Sequence, residues 1–133
     1  MATIKSTYLG GLRTEATHLQ SSTTILTDAP VDNKGKGEAF SPTDLLAEAL
    51  VGCILTTMGI AADTHGIDIN NTTAESTKIM APNPRRVAEV AINLKFPKTY
   101  TDKEVKILEL AANTCPVYIS LHPDVKKTID FGW

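Results

Sequence analysis

A chain of 133 residues fits one domain, and 42% hydrophobic with 21% charged residues is the balance of a globular protein rather than a disordered one. The formal net charge of −2 offers no basic surface for phosphate, so no nucleic-acid partner is expected. The opening Met1-Ala-Thr-Ile-Lys lacks the layout of a secretory signal, and the longest apolar segment, residues 45–62, is broken by Glu48, Gly52, Thr56, Thr57 and Gly59, so no membrane span is expected and the chain reads as cytoplasmic.

Residues 3–28 are rich in Thr, Ile, Leu and Tyr with partial alternation, broken by Gly10-Gly11 and by Gln20-Ser21-Ser22. That pattern predicts two or three antiparallel strands joined by tight turns. Residues 29–40 contain Pro30, Asp32, Asn33, Gly35 and Gly37 and read as a mobile loop. A helix start follows: Ser41 serves as N-cap, Pro42 takes the first helical position, and Asp44 stands at N3. Leu46, Leu50, Cys53, Ile54, Ile60 and Ala61 form its expected apolar face, and His65-Gly66 its stop. A helix of about 23 residues would run ~35 Å, enough to be the central core element.

Residues 67–80 alternate weakly up to the turn Pro82-Asn83-Pro84, and residues 86–96 alternate better, which predicts a long hairpin. Thr101-Asp-Lys-Glu104 is a second capping box, opening a helix whose apolar stripe is Val105, Leu108, Ala112 and Cys115. Pro116 disfavours helical geometry at Cys115 and starts a short piece over residues 117–121, before a strand at residues 125–131. The predicted order is βββ-α-ββ-α-(α)-β, an α+β protein with antiparallel sheets.

Cys53 and Cys115 are the best candidates for chemistry. Two cysteines with no C-x-x-C spacing are too few for a disulfide scaffold, and His18, His65 and His122 sit at no ligand-like spacing, so no metal is expected. A buried cysteine on an apolar stripe packs as a small hydrophobe, and burial alone raises its pKa. Cys115, ahead of Pro116, can cap the short helix and feel its positive end; Cys53, mid-helix, needs a cation from elsewhere. Local physics therefore makes Cys115 the easier thiolate. Arg85-Arg86 beside two prolines reads as a solvated strand end, with anion binding as the alternative.

Three segments together carry a resemblance: Tyr8-Leu-Gly-Gly-Leu-Arg13, Ser41-Pro-Thr-Asp-Leu-Leu-Ala-Glu-Ala-Leu-Val-Gly-Cys53, and Thr114-Cys-Pro-Val117. They resemble the OsmC/Ohr family (osmotically inducible protein C and organic hydroperoxide resistance protein) over essentially the whole chain. Pro84-Arg85-Arg86 resembles a feature of one OsmC-like branch. The resemblance implies one OsmC-like domain over residues 1–133, with antiparallel sheets around a long central helix, in an intertwined homodimer. It implies a thiol peroxidase for organic hydroperoxides: Cys53 attacks and becomes a sulfenic acid, Cys115 condenses with it, and an external dithiol reduces the disulfide. Arg13 would be the cation that lowers the Cys53 pKa, and no metal or organic cofactor is required. This ranking of the thiols is the reverse of the local one. The family's peroxidases carry a Glu directly after the helix-starting Pro, whereas this chain has Thr43 and then Asp44. That departure implies modest activity or a different oxidant, and it keeps open a non-catalytic ligand-binding or redox-sensing protein of the same fold.

Overall fold

The computed structural model describes residues 1–133. The chain divides into two compact units, Met1–Leu45 and Leu46–Trp133. The element order is the predicted one.

In the first unit, β1 (Ile4–Gly10), β2 (Arg13–His18) and β3 (Thr24–Asp28) form an antiparallel meander. Gly10, Gly11 and Leu12 all take positive φ at the first turn, which is why two glycines stand there. Along these strands only Thr27 and Asp28 are buried; Ile4, Tyr8, Ile25 and Leu26 lie open. An antiparallel sheet ordinarily packs one face on a core. This one has no buried face within the chain.

The loop expected to be mobile is tied down by its own backbone. Asn33 and Gly35 N–H groups donate to the Pro30 carbonyl at 2.9 Å, Gly37 N–H donates to Ala29 at 3.2 Å, and Asp28 N–H donates to Phe40 at 3.1 Å. A single 3-10 turn, Val31–Asn33, gives the loop its curl. Gly35 lies so close to Ala29 that an added Cβ would stand 1.7 Å from the Ala29 carbonyl oxygen.

Helix α1 (Pro42–His65) opens as predicted. Asp44 N–H donates to Ser41 Oγ at 3.1 Å and Ser41 N–H donates to Asp44 Oδ2 at 2.9 Å, a reciprocal cap. Its buried residues are Ala47, Leu50, Val51, Ile54, Met58 and Ala62. Ile60, expected on that face, is 63% exposed. The helix is apolar nearly all round, so periodicity could not select the buried side. The same property corrects the reading of residues 45–62. By length and composition α1 is long and apolar enough to cross a membrane, with mean hydropathy 1.9 over 18 residues, because scattered Gly and Thr lower hydropathy little.

The second unit holds β4 (Thr73–Ala81), β5 (Arg86–Lys95), α2 (Asp102–Asn113), α3 (Pro116–Ser120) and β6 (Lys126–Asp130). β4 and β5 form the expected hairpin, but β6 pairs with β5 in parallel, so this sheet is mixed rather than wholly antiparallel. The physical reason is the connection: two helices separate β5 from β6, which carries the chain back to the start of the sheet. Val87, Val90, Ile92 and Leu94 of β5 form one core with Leu108, Ala111 and Ala112 of α2 and the buried stripe of α1. The Thr101–Glu104 capping box is present.

Candidate active site

Cys53 and Cys115 are both free, and both belong to the second unit. Cys53 sits mid-way along α1, half-buried. Cys115 does not extend the apolar stripe of α2, which ends at Asn113; it is the N-cap of α3, fully buried. Pro116 is the cause, since it excludes helical geometry at the residue before it and itself suits the first position of a new helix. The Tyr118 N–H donates to Cys115 Sγ at 3.3 Å, so the predicted sulfur cap is real.

The two thiols meet. Burial pushes the Cys53 thiol up, but hydrogen bonds from the Val117 N–H, the Cys115 thiol and the Thr57 hydroxyl outweigh it, leaving Cys53 below the ordinary thiol range. Burial pushes Cys115 up as well; the Tyr118 N–H opposes this, the neighbouring Cys53 sulfur adds to it, and the net direction is upward. Of the two, Cys53 is the thiol shifted toward ionisation and Cys115 the one held toward its protonated form. This corrects the local ranking. The N–H groups that open α3 do favour a charged Cys115, but the burial of its sulfur outweighs them, whereas at the less buried Cys53 the Val117 N–H and the two side-chain donors prevail. No cation is needed to set that direction.

In the first unit, Arg13 opens β2 directly across from Asp28 at the end of β3. Its Nη2 lies 3.5 Å from Asp28 Oδ2 and 2.9 Å from Glu38 Oε2. Asp28 Oδ2 also accepts the Glu38 N–H at 3.0 Å, so one carboxylate fixes both the arginine and the returning loop. Asp28 Oδ1 is buried without a partner. Asp44, the residue after Thr43, caps α1, and the carboxylates that hold Arg13 are those of Asp28 and Glu38. The Glu38 N–H first, and Arg13 with it, overcome burial and hold the Asp28 carboxyl below its ordinary range.

A folded-state pKa below the unfolded value of about 3.9 stabilises the fold above that pH, and the contribution is lost as pH falls through the lower, folded-state pKa. Urea midpoints measured between about pH 5 and pH 2 should therefore fall more steeply for the wild type than for Asp28→Asn. Equal slopes would contradict this role.

Arg86 donates to the Pro82 and Pro84 carbonyls at 3.0 and 2.9 Å, locking the hairpin turn rather than presenting itself to an anion. No three His, Cys, Asp or Glu side chains gather as metal ligands.

The profile of the family described as OsmC-like protein matches residues 35–130, a span that contains both thiols. The chain belongs to the OsmC-like family. A search of curated proteins gives no match. Among solved structures, this OsmC-like chain is similar to a Psychrobacter arcticus 273-4 protein provisionally named an osmotic stress induced and detoxification response protein. The identity is 57%, the TM-score 0.94, and the match covers 97% of this chain and 94% of that one. It also shares its fold with an organic hydroperoxide resistance protein OsmC of Legionella pneumophila (16% identity, TM-score 0.75, 97% of this chain and 96% of that one). A third match is an organic hydroperoxide resistance protein of Elizabethkingia anophelis (16% identity, TM-score 0.71, 97% and 94%). At those identities the last two establish the fold.

The residues that sequence reasoning missed are Thr57, Val117, Asp28 and Glu38. Thr57 carries a usable signal, four residues from Cys53 on one helix face. The other three reach their partners only through tertiary structure.

Proposed function

We propose that this OsmC-like chain is a cysteine-based peroxidase that reduces organic hydroperoxides, acting as a single domain over residues 1–133. What carries the reading is the pair of free cysteines, Cys53 half-buried on α1 and Cys115 buried at the N-cap of α3, each shifting the other's titration, Cys53 toward thiolate and Cys115 toward the protonated form. In this mechanism the Cys53 thiolate attacks the outer oxygen of R–O–O–H. The O–O bond breaks, Cys53 becomes S–OH, and RO⁻ leaves and takes a proton to become ROH. The Cys115 sulfur then attacks the Cys53 sulfur, forming the disulfide and releasing water. An external dithiol returns both cysteines to thiols and is itself oxidised to a disulfide. Arg13, held by Asp28 and Glu38, is the proposed cation for the departing oxygen, a role that rests on the family resemblance.

The proposed assembly is a homodimer. Two features support it: a three-stranded sheet with no buried face in one chain, and exposed apolar residues such as Tyr8 at 65% and Ile60 at 63%. In such an assembly α1 is a core helix rather than a membrane span.

The test is dithiol-dependent consumption of cumene hydroperoxide by the purified chain. Sustained turnover is the expected result. One equivalent consumed, with a stable disulfide and no further turnover, would replace the enzyme with a redox sensor. No consumption and no disulfide would leave the ligand-binding reading.

A further inference from the structure

α1 offers an internal comparison of what its threonines do. Thr64 Oγ1 donates to the Ile60 carbonyl at 3.0 Å, the ordinary use of a hydroxyl inside a helix, where it bonds back to the residue four earlier. Thr114, just past the end of α2, does the same to Leu110 at 2.8 Å. Thr57 does not. Its hydroxyl stands 3.9 Å from the sulfur of Cys53, four residues earlier on the same face, and both side chains are half-buried.

We propose that Thr57 is a catalytic residue of this site: its hydroxyl donates a hydrogen bond to the Cys53 sulfur, supporting the thiolate and then the oxygen that Cys53 acquires. The second half rests on the peroxidase reading; the first does not. A separation of 3.9 Å is long, as suits a bond to a neutral thiol, and it contracts once the sulfur carries charge, because hydrogen bonds to ionised acceptors are shorter and stronger. Direction agrees with this, since the Thr57 contact acts to favour the charged form of Cys53.

The Thr57 hydroxyl, the Val117 N–H and the Cys115 thiol each favour the charged form of Cys53, and they are not equivalent. The Cys115 thiol and the Val117 N–H belong to the segment that opens α3, and the Cys115 proton is lost when the disulfide forms. Thr57 belongs to the helix that carries Cys53 itself. Its proton is never transferred, so it can serve the thiolate, the sulfenic acid and the thiolate released on reduction in turn.

The test reads Cys53 chemistry without any peroxide. The reduced, folded protein is alkylated with iodoacetamide from about pH 5 to pH 10, and modification at Cys53 is followed by peptide mass spectrometry. Thr57→Val removes the hydroxyl at nearly constant volume. It should move the midpoint of the rate profile upward and slow alkylation at neutral pH by roughly three- to tenfold. Thr57→Ser should restore the wild-type profile. If Thr57→Val fails to fold, Thr57→Ser against Thr57→Ala isolates the hydroxyl, and Ser alone should keep the low midpoint. Profiles that superimpose for hydroxyl-bearing and hydroxyl-lacking variants would overturn the proposal. A chain that consumes no hydroperoxide, yet shows the Thr57→Val shift, would sink the peroxidase reading and leave the thiolate contact standing.

Discussion

Cys53→Ser is expected to lower dithiol-dependent consumption of cumene hydroperoxide by several orders of magnitude, to the level of free dithiol in solution. A serine hydroxyl in the same place carries no anion at neutral pH, and the hydrogen bonds from Val117, Cys115 and Thr57 cannot compensate for a pKa that lies far too high. Cys115→Ser is expected to behave differently. Cys53 keeps its place on α1 and the Val117 and Thr57 groups, and the serine hydroxyl can donate in place of the Cys115 thiol, so the first oxygen transfer proceeds, but the sulfenic acid has no neighbouring thiol to condense with. The result should be one equivalent of hydroperoxide consumed quickly, a Cys53 sulfenic acid trappable by dimedone, and little turnover afterwards. Loss of the fast first turnover in Cys115→Ser, with Cys53→Ser retaining it, would exchange the two roles and return the pair to the order that local helix-end physics favours.

Gly35→Ala should have the largest effect of any single methyl group added to the first unit. The new Cβ would fall 1.7 Å from the Ala29 carbonyl oxygen and 2.1 Å from its carbon, both backbone atoms that no rotamer change can move aside. The loop must open, breaking the Gly35 N–H bond to Pro30 and the Gly37 N–H bond to Ala29. A cost of about 3 kcal/mol is expected, measured as a shift in the urea midpoint. The same movement carries Glu38 away, removing both its carboxylate from Arg13 and its N–H from Asp28. If Arg13 assists the departing oxygen, the variant should also lose about tenfold in kcat/KM, with its Cys53 alkylation profile unchanged. An unchanged urea midpoint would mean that the loop is not the rigid brace that its hydrogen bonds describe.

What could be read from the sequence was local chemistry. Both capping boxes lie where Ser41 to Asp44 and Thr101 to Glu104 place them, because a cap is a contact across three residues. The Cys115-Pro116 step announced a helix start for the same reason. What was not legible depended on residues distant in the chain. The buried face of α1 was misjudged at Ile60 because the helix is apolar on nearly every side, and only its packing partners decide which side is covered. The parallel pairing of β6 follows from a crossover through two helices, which no strand reveals alone. The local ranking of the thiols omits the Val117 N–H, which lies 64 residues beyond Cys53 and favours its charged form only in the fold, and it omits the burial that raises Cys115. Asp28 and Glu38 carry no local signal of their role, because they meet Arg13 only through strand pairing and the loop's return, while Thr43, after Pro42, stands beside Ser41 Oγ at 3.2 Å.

The central claim is that Cys53 and Cys115 form one redox couple, and intact-mass analysis of the reduced protein after one equivalent of cumene hydroperoxide tests it most directly. The account predicts a loss of two hydrogens in the wild type, with a peptide linking Cys53 to Cys115, and no such loss in Cys53→Ser. An unchanged mass, with both thiols still alkylated after denaturation, would contradict it.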